Sequence, residues 1–192
     1  MQGTIRNSQD LFNDTLELAT KIVTAKKKYD AIVGISPGGI IIARMLGDFL
    51  NCQIVFNFEM FGQESEALEN KESPVKLNLS PNQIKFLQSK KVLLVDDVVN
   101  SGDTMIVAIE LLQGNCSCEI DTLALYTRPY TKIDLTYSLR ELEHLIVMPY
   151  EYATIIRYLL HEQQVPLKEV REFFPRDTFD KLKVLLDLPR KP

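Results

Sequence analysis

VLLVDDVVNSGDT, residues 92–104, is the stretch on which the reading of the whole chain turns. Its first four residues are apolar without alternation, the pattern of a strand buried on both faces of a parallel sheet. Asp96 and Asp97 follow where such a strand ends. Ligands of open parallel sheets bind beyond the carboxyl ends of the strands, so both acids are delivered to the crevice. The next turn, Asn100, Ser101, Gly102, Asp103 and Thr104, offers a glycine for tight geometry, two hydroxyls and free N–H groups at a helix start. Such a turn suits a phosphate monoester. The carboxylates repel that phosphate but accept hydrogen bonds from a vicinal diol. A phosphate end and a diol end in one site describe a ribose 5-phosphate. Paired acids also occur in magnesium sites, and Ser-Gly-x-Thr also serves as a plain turn; the whole string favours the sugar phosphate.

Outward from this stretch, strands and helices alternate. A helix begins at the N-cap Ser8, with Leu11, Phe12, Leu16, Ala19, Ile22 and Val23 on one side and Lys26–Lys28 in its last turn. AIVGI (31–35) reads as a strand, SPGG (36–39) breaks it, and 40–50 resumes with helical spacing. QIVFNF (53–58) is a strand, and the polar stretch 60–82 reads as a lid or a disordered loop. Ser80-Pro81 opens a short helix through Leu87. KVLLV (91–95), IDTLALY (120–126) and LIVM (145–148) are strands, and 104–113 is a helix ended by Gly114-Asn115. From Tyr152 on, only helical segments remain, punctuated by Pro166, Pro175 and Pro189. The pattern predicts an α/β fold with a parallel sheet over residues 1–151 and a helical extension over 152–192.

Composition narrows the class. With 45% hydrophobic and 25% charged residues the chain reads as a globular protein, and its net charge of -4 argues against a general nucleic-acid binder. No apolar run approaches a membrane span, and the first residues lack the pattern of a signal peptide. Cys52, Cys116 and Cys118 match neither a redox CxxC nor a zinc knuckle, so they read as reduced thiols of a cytoplasmic protein.

The string 92–104 resembles the phosphoribosyl pyrophosphate signature of the type I phosphoribosyltransferases, and the resemblance extends over roughly residues 30–151. It implies that fold, with a small hood, and a site in which Asp96 and Asp97 hold the ribose hydroxyls directly or through Mg²⁺ and water. It also implies that residues 100–104 cradle the 5-phosphate. Ser36, Pro37, Gly38 and Gly39 resemble the pyrophosphate loop of the 6-oxopurine branch, which includes xanthine–guanine and hypoxanthine enzymes. YTRPYTK (126–132) resembles a segment that places Arg128 on the purine 6-oxo group and Lys132 on pyrophosphate. LIVMPYE (145–151) resembles the base-binding segment, with Leu145 at the stacking position, Ile146 offering backbone groups and Glu151 matching the acid. A plain core strand with Glu151 capping the next helix is the other reading of that stretch.

Three departures from the 6-oxopurine pattern stand out. Pro37 replaces a basic residue, leaving Lys71 or Lys76 of the polar stretch to supply the charge, and a cis Ser36–Pro37 bond is predicted. Asn100 stands where those enzymes carry a proton-accepting aspartate, and Leu145 replaces an aromatic ring. The resemblance implies an enzyme of purine salvage: a purine base displaces pyrophosphate from phosphoribosyl pyrophosphate, around Asp96, Asp97 and Asn100, with Mg²⁺, in a homodimer. The departures leave open the alternative of a sensor with the same fold that binds phosphoribosyl pyrophosphate or a nucleotide without turnover.

Overall fold

The computed structural model describes residues 2–59 and 78–186; Lys71, Lys76 and most of the polar stretch lie outside them. In chain order the segments are β1 (Gly3–Ile5), α1 (Ser8–Thr24), β2 (Ala31–Ile35), α2 (Gly38–Phe49), β3 (Val55–Phe58), α3 (Pro81–Leu87), β4 (Lys91–Val99), α4 (Asp103–Asn115), β5 (Glu119–Thr127), β6 (Tyr137–Glu141), β7 (Leu145–Val147), α5 (Tyr152–Arg157), a π-helical turn Tyr158–Glu162, α6 (Leu167–Phe173) and α7 (Arg176–Leu186). They form two compact units: Phe12–Glu143, and the residues up to Leu11 together with those from His144 on. Among the described residues no helix is long and apolar enough to cross a membrane.

In the larger unit five parallel strands run in the order β3-β2-β4-β5-β6. The strand order reverses between β2 and β4, which makes that junction the switch point where such sheets bind ligands. All five residues of β2 are buried because helices cover both faces of the sheet. On one face Val33, Val92, Leu94 and Ala124 pack with Leu87 of α3 and with Met105, Ala108 and Leu112 of α4. On the other, α2 approaches so closely that a Cβ on Gly34 would lie 2.5 Å from the Ile40 Cα and 2.8 Å from the Ala43 Cβ. Each buried Val, Leu or Ile contributes about 1.5–3 kcal/mol, which holds the helices against the sheet.

Several elements depart from the sequence pattern, each for a physical reason. β4 continues to Val99 because β5 goes on pairing with it, Val98 opposite Tyr126 and Val99 opposite Thr127. α1 stops at Thr24, leaving Lys26–Lys28 outside. Lys26 takes a left-handed φ of 55°. Its N–H bonds the Val23 carbonyl and that of Lys27 the Ile22 carbonyl, a Schellman ending. α4 runs through Gly114 to Asn115 and ends at the extended C-cap Cys116. α3 follows the pattern: Ser80 and Gln83 form a capping box on either side of Pro81.

In the smaller unit β1 and β7 pair in parallel, Gly3 opposite Leu145 and Ile5 opposite Val147, so LIVM does not extend the five-stranded sheet. The C-terminal helices pack around this pair. Val147, Tyr152, Ile156, Leu159, Val170, Phe174 and Phe179 form one core, with Ile5 and Leu145 against it. A Cβ on Gly3 would meet the Phe173 ring at 2.6 Å, so a glycine lets the strand lie under α6.

Candidate functional site

β2 and β4 pair only as far as Gly34 opposite Val95, after which β4 continues alongside β5. Beyond Val95 the β2 side of β4 is therefore open, and the chain leaving β2 forms its wall. Asp96 and Asp97 occupy the first two positions of that opening. Successive strand side chains leave opposite faces, so Asp97 shares the face of α2 and Asp96 that of α4. Each carboxylate is tied by its neighbour: the Asp97 N–H donates to Asp96 Oδ1 and the Val98 N–H to Asp97 Oδ1, both at 2.9 Å.

The glycine loop meets this rim. A Cβ on Gly38 would lie 2.2 Å from Asp97 Oδ2, and one on Gly39 would lie 2.3 Å from the Val95 carbonyl oxygen. Only glycines allow the start of α2 to pass so close. The Ser36–Pro37 bond is cis, as the sequence predicts. The Ser36 N–H donates to the Phe58 carbonyl, which fixes the loop to β3. The structure thus brings Gly38 of the predicted pyrophosphate loop into contact with Asp97 of the predicted ribose pair.

On the other side of the rim, Gly102 takes φ 94° at the N-cap of α4, a conformation glycine adopts without strain. A Cβ there would also strike Ile133 at 2.7 Å. Ser101 Oγ donates to Asp103 Oδ2 at 2.7 Å, and Lys132 Nζ donates to Asp103 Oδ1 at 3.1 Å. The Ser101 hydrogen bond, then Lys132, holds the Asp103 carboxyl below the usual carboxylate range. Lys132 thus stands at the turn Ser101–Thr104, and its N–H donates to the Ser101 carbonyl. Thr104 is exposed in the first turn of α4.

Asn100 and Arg128 meet at the ends of β4 and β5, where Arg128 Nε donates to Asn100 Oδ1 at 3.0 Å. Arg128 Nη1 donates to the Leu142 carbonyl, also at 3.0 Å. Thr131, which sequence reasoning did not single out, pins this corner: its hydroxyl lies 2.6 Å from the Asn100 carbonyl oxygen and accepts from the Arg128 N–H. Only its place between Arg128 and Lys132 marked it.

Leu145, Ile146 and Glu151 belong to the smaller unit. Ile146 is buried in β7 opposite Thr4, and Leu145 is half-buried against that unit's core. Glu151 is the N-cap of α5, but its carboxylate makes no cap bond there. Instead it accepts from the Met148 N–H at 3.0 Å, closing the turn after β7.

Among the described residues no three His, Cys, Asp or Glu side chains gather to hold a metal. The rim offers hard carboxylate oxygens of the kind Mg²⁺ takes, and Asp96 or Asp97 would hold such an ion.

A glycine loop and an acid-bearing strand thus flank the switch point, the place where open parallel α/β sheets bind their ligands. The phosphoribosyl transferase domain family model matches residues 1–152, and the chain belongs to that family. Its five-stranded parallel sheet is the phosphoribosyltransferase fold, with extra helices at the C-terminus. Among solved structures it is similar to a purine phosphoribosyltransferase from Pyrococcus horikoshii, with TM-score 0.64 and 24% identity over 79% of this chain and 95% of that one. It is also similar to a hypothetical protein from Neisseria gonorrhoeae with bound ppGpp, with TM-score 0.63 and 28% identity over 78% and 89%. A curated relative, the transcriptional regulator GfcR of Methanococcus maripaludis, is 30% identical over 87 residues, which span 45% of this chain and 40% of that protein.

Proposed function

We propose that the protein is a phosphoribosyltransferase that transfers the phosphoribosyl group of phosphoribosyl pyrophosphate to a purine base. The observation that carries this reading is the rim where β4 outlasts β2. Asp96 and Asp97 lie there between the glycine loop at Gly38-Gly39 and the turn Ser101–Thr104. On this reading Asp96 and Asp97 hold the ribose hydroxyls, directly or through Mg²⁺ and water. The Asn100–Thr104 turn receives the 5-phosphate through backbone N–H groups and hydroxyls, with the Asp103 carboxylate turned to Lys132. The Ser36–Gly39 loop and Lys132 face the pyrophosphate, and Arg128 is directed to the base. Leu145, Ile146 and Glu151 take base-binding roles by resemblance alone. A base nitrogen attacks C1, the C1–O bond breaks, and its electron pair leaves with pyrophosphate. Mg²⁺ held at Asp96 or Asp97 through water supplies charge neutralisation for that leaving group. The chain's own residues orient the two reactants and donate hydrogen bonds to the departing oxygens. A role in purine salvage, a cytoplasmic homodimer, and a division into residues 1–151 and a helical extension at 152–192 belong to the same proposal.

A second reading has specific support: a sensor that binds phosphoribosyl pyrophosphate or a nucleotide without turnover. Asn100 cannot accept a proton. A relative is a transcriptional regulator, and a structural neighbour holds ppGpp. Pyrophosphate release from phosphoribosyl pyrophosphate with Mg²⁺ across a panel of purine and pyrimidine bases separates the two. Release with a purine supports the transferase; tight binding without release on any base supports the sensor.

A further inference from the structure

We propose that Cys116 and Cys118 are a dithiol pair that closes reversibly to a disulfide by exchange with a low-molecular-weight disulfide. The spacing Cys-x-Cys announces no redox motif, yet the fold brings the two sulfurs to 3.5 Å from each other. Both are free thiols. They follow α4, with Cys116 as its C-cap. The Cys118 N–H donates to the Cys116 carbonyl at 2.9 Å, a three-residue turn that bends the chain at Ser117. Residues two apart lie within roughly 7 Å even when extended, the upper limit a disulfide spans, and the turn shortens that reach. The bend is also held from outside. The Ser117 N–H donates to Gln88 Oε1 at 3.2 Å, and the Ser89 N–H donates to the Ser117 carbonyl at 3.1 Å. Gln88 Nε2 donates to the Asn115 carbonyl at 3.0 Å. A clamped backbone therefore presents the two sulfurs to each other.

The two thiols are unequal, and the inequality assigns their order of reaction. Cys116 is buried, and its S–H donates to the Leu112 carbonyl at 3.0 Å, which leaves its lone pairs to face Cys118. Burial first, and the Cys118 thiol second, push the Cys116 thiol up. Cys118 is only half-buried and is the thiol that a small molecule reaches. Cys118 gives its proton to solvent and attacks one sulfur of the small disulfide. That S–S bond breaks, one thiolate leaves, and a mixed disulfide remains on Cys118. Cys116 then loses its proton and attacks the Cys118 sulfur, displacing the second thiolate. Two protein thiols are oxidised and one small disulfide is reduced to two thiols. The short distance between the sulfurs offsets the weak acidity of Cys116 in this second step. Closing so small a ring strains the bridge, which keeps it reducible by small thiols.

Incubation of the full chain with reduced and oxidised glutathione in varying ratio, quenched with acid and read by peptide mass, tests this. As the ratio turns oxidising, the peptide holding both cysteines should lose two hydrogens. Cys52, buried between α2 and β3, should remain a thiol as the internal reference. Dithiothreitol should restore the starting mass. In Cys116→Ser the resolving thiol is gone, so Cys118 should retain glutathione as a stable mixed disulfide. In Cys118→Ser the buried Cys116 should stay a thiol. A wild type that shows no change at oxidising ratios would overturn the proposal. So would one that keeps glutathione on Cys118 or bridges to a second chain.

Discussion

Gly38 and Gly39 are neighbours with different reasons for being glycine, and the difference can be measured. A Cβ on Gly39 meets the Val95 carbonyl, backbone that cannot step aside. Gly39→Ala should therefore destabilise the fold by about 1–3 kcal/mol in urea unfolding. A Cβ on Gly38 meets the Asp97 carboxylate, which can rotate away. Gly38→Ala should cost less stability but weaken ribose 5-phosphate binding, because Asp97 is displaced. Asp103 offers a pH test. Its folded pKa is depressed, by Ser101 first and Lys132 second, so the stabilising effect is complete above the unfolded value and is lost as pH falls through the folded one. Lys132→Met should move the Asp103 carboxyl upward in an NMR titration while leaving it below the unperturbed value, since the Ser101 bond remains. At this scale the sequence was most legible in Asp96-Asp97 and the turn after them. Arg128's hold on Asn100 was not legible, because it joins residues 28 apart that meet only when β4 and β5 align.

Among the elements, α1 and β5 are fastened by a buried polar contact that no periodicity announces. Tyr126, fully buried in β5, donates its hydroxyl to Asp14 of α1, and Arg140 of β6 reaches the other Asp14 oxygen at 3.6 Å. Tyr126→Phe deprives a buried carboxylate of one donor and should cost about 1–3 kcal/mol in urea unfolding. An unchanged midpoint would show that the contact contributes nothing. The buried strands β2, β4 and β5 were readable as continuous apolar runs, since both faces are covered. β6 was not: Tyr-Ser-Leu-Arg-Glu sits at a sheet edge, half in solvent, and lacks either apolar pattern. β1 is three residues long, too short for any period to show.

For the molecule as a whole, the order β3-β2-β4-β5-β6 turns a local motif into a site, because the reversal between β2 and β4 opens the rim beside Asp96 and Asp97. The alternation of strands and helices foretold a parallel sheet. It did not foretell that β7 pairs with β1, or that the C-terminal helices share one core with that pair, since these contacts join opposite ends of the chain. A ligand that binds only the folded protein adds about 2.7 kcal/mol to unfolding at a hundred times its dissociation constant. Hydrogen-exchange protection on adding ligand should accordingly rise at residues 36–39 and 96–104. The most direct test of the ribose phosphate site is calorimetric titration with phosphoribosyl pyrophosphate and Mg²⁺, comparing the wild type with the double variant Asp96→Asn, Asp97→Asn. Binding by the wild type that vanishes in a variant which still unfolds cooperatively is the result that follows from the acid pair holding the ribose. Undiminished binding by the double variant would contradict it.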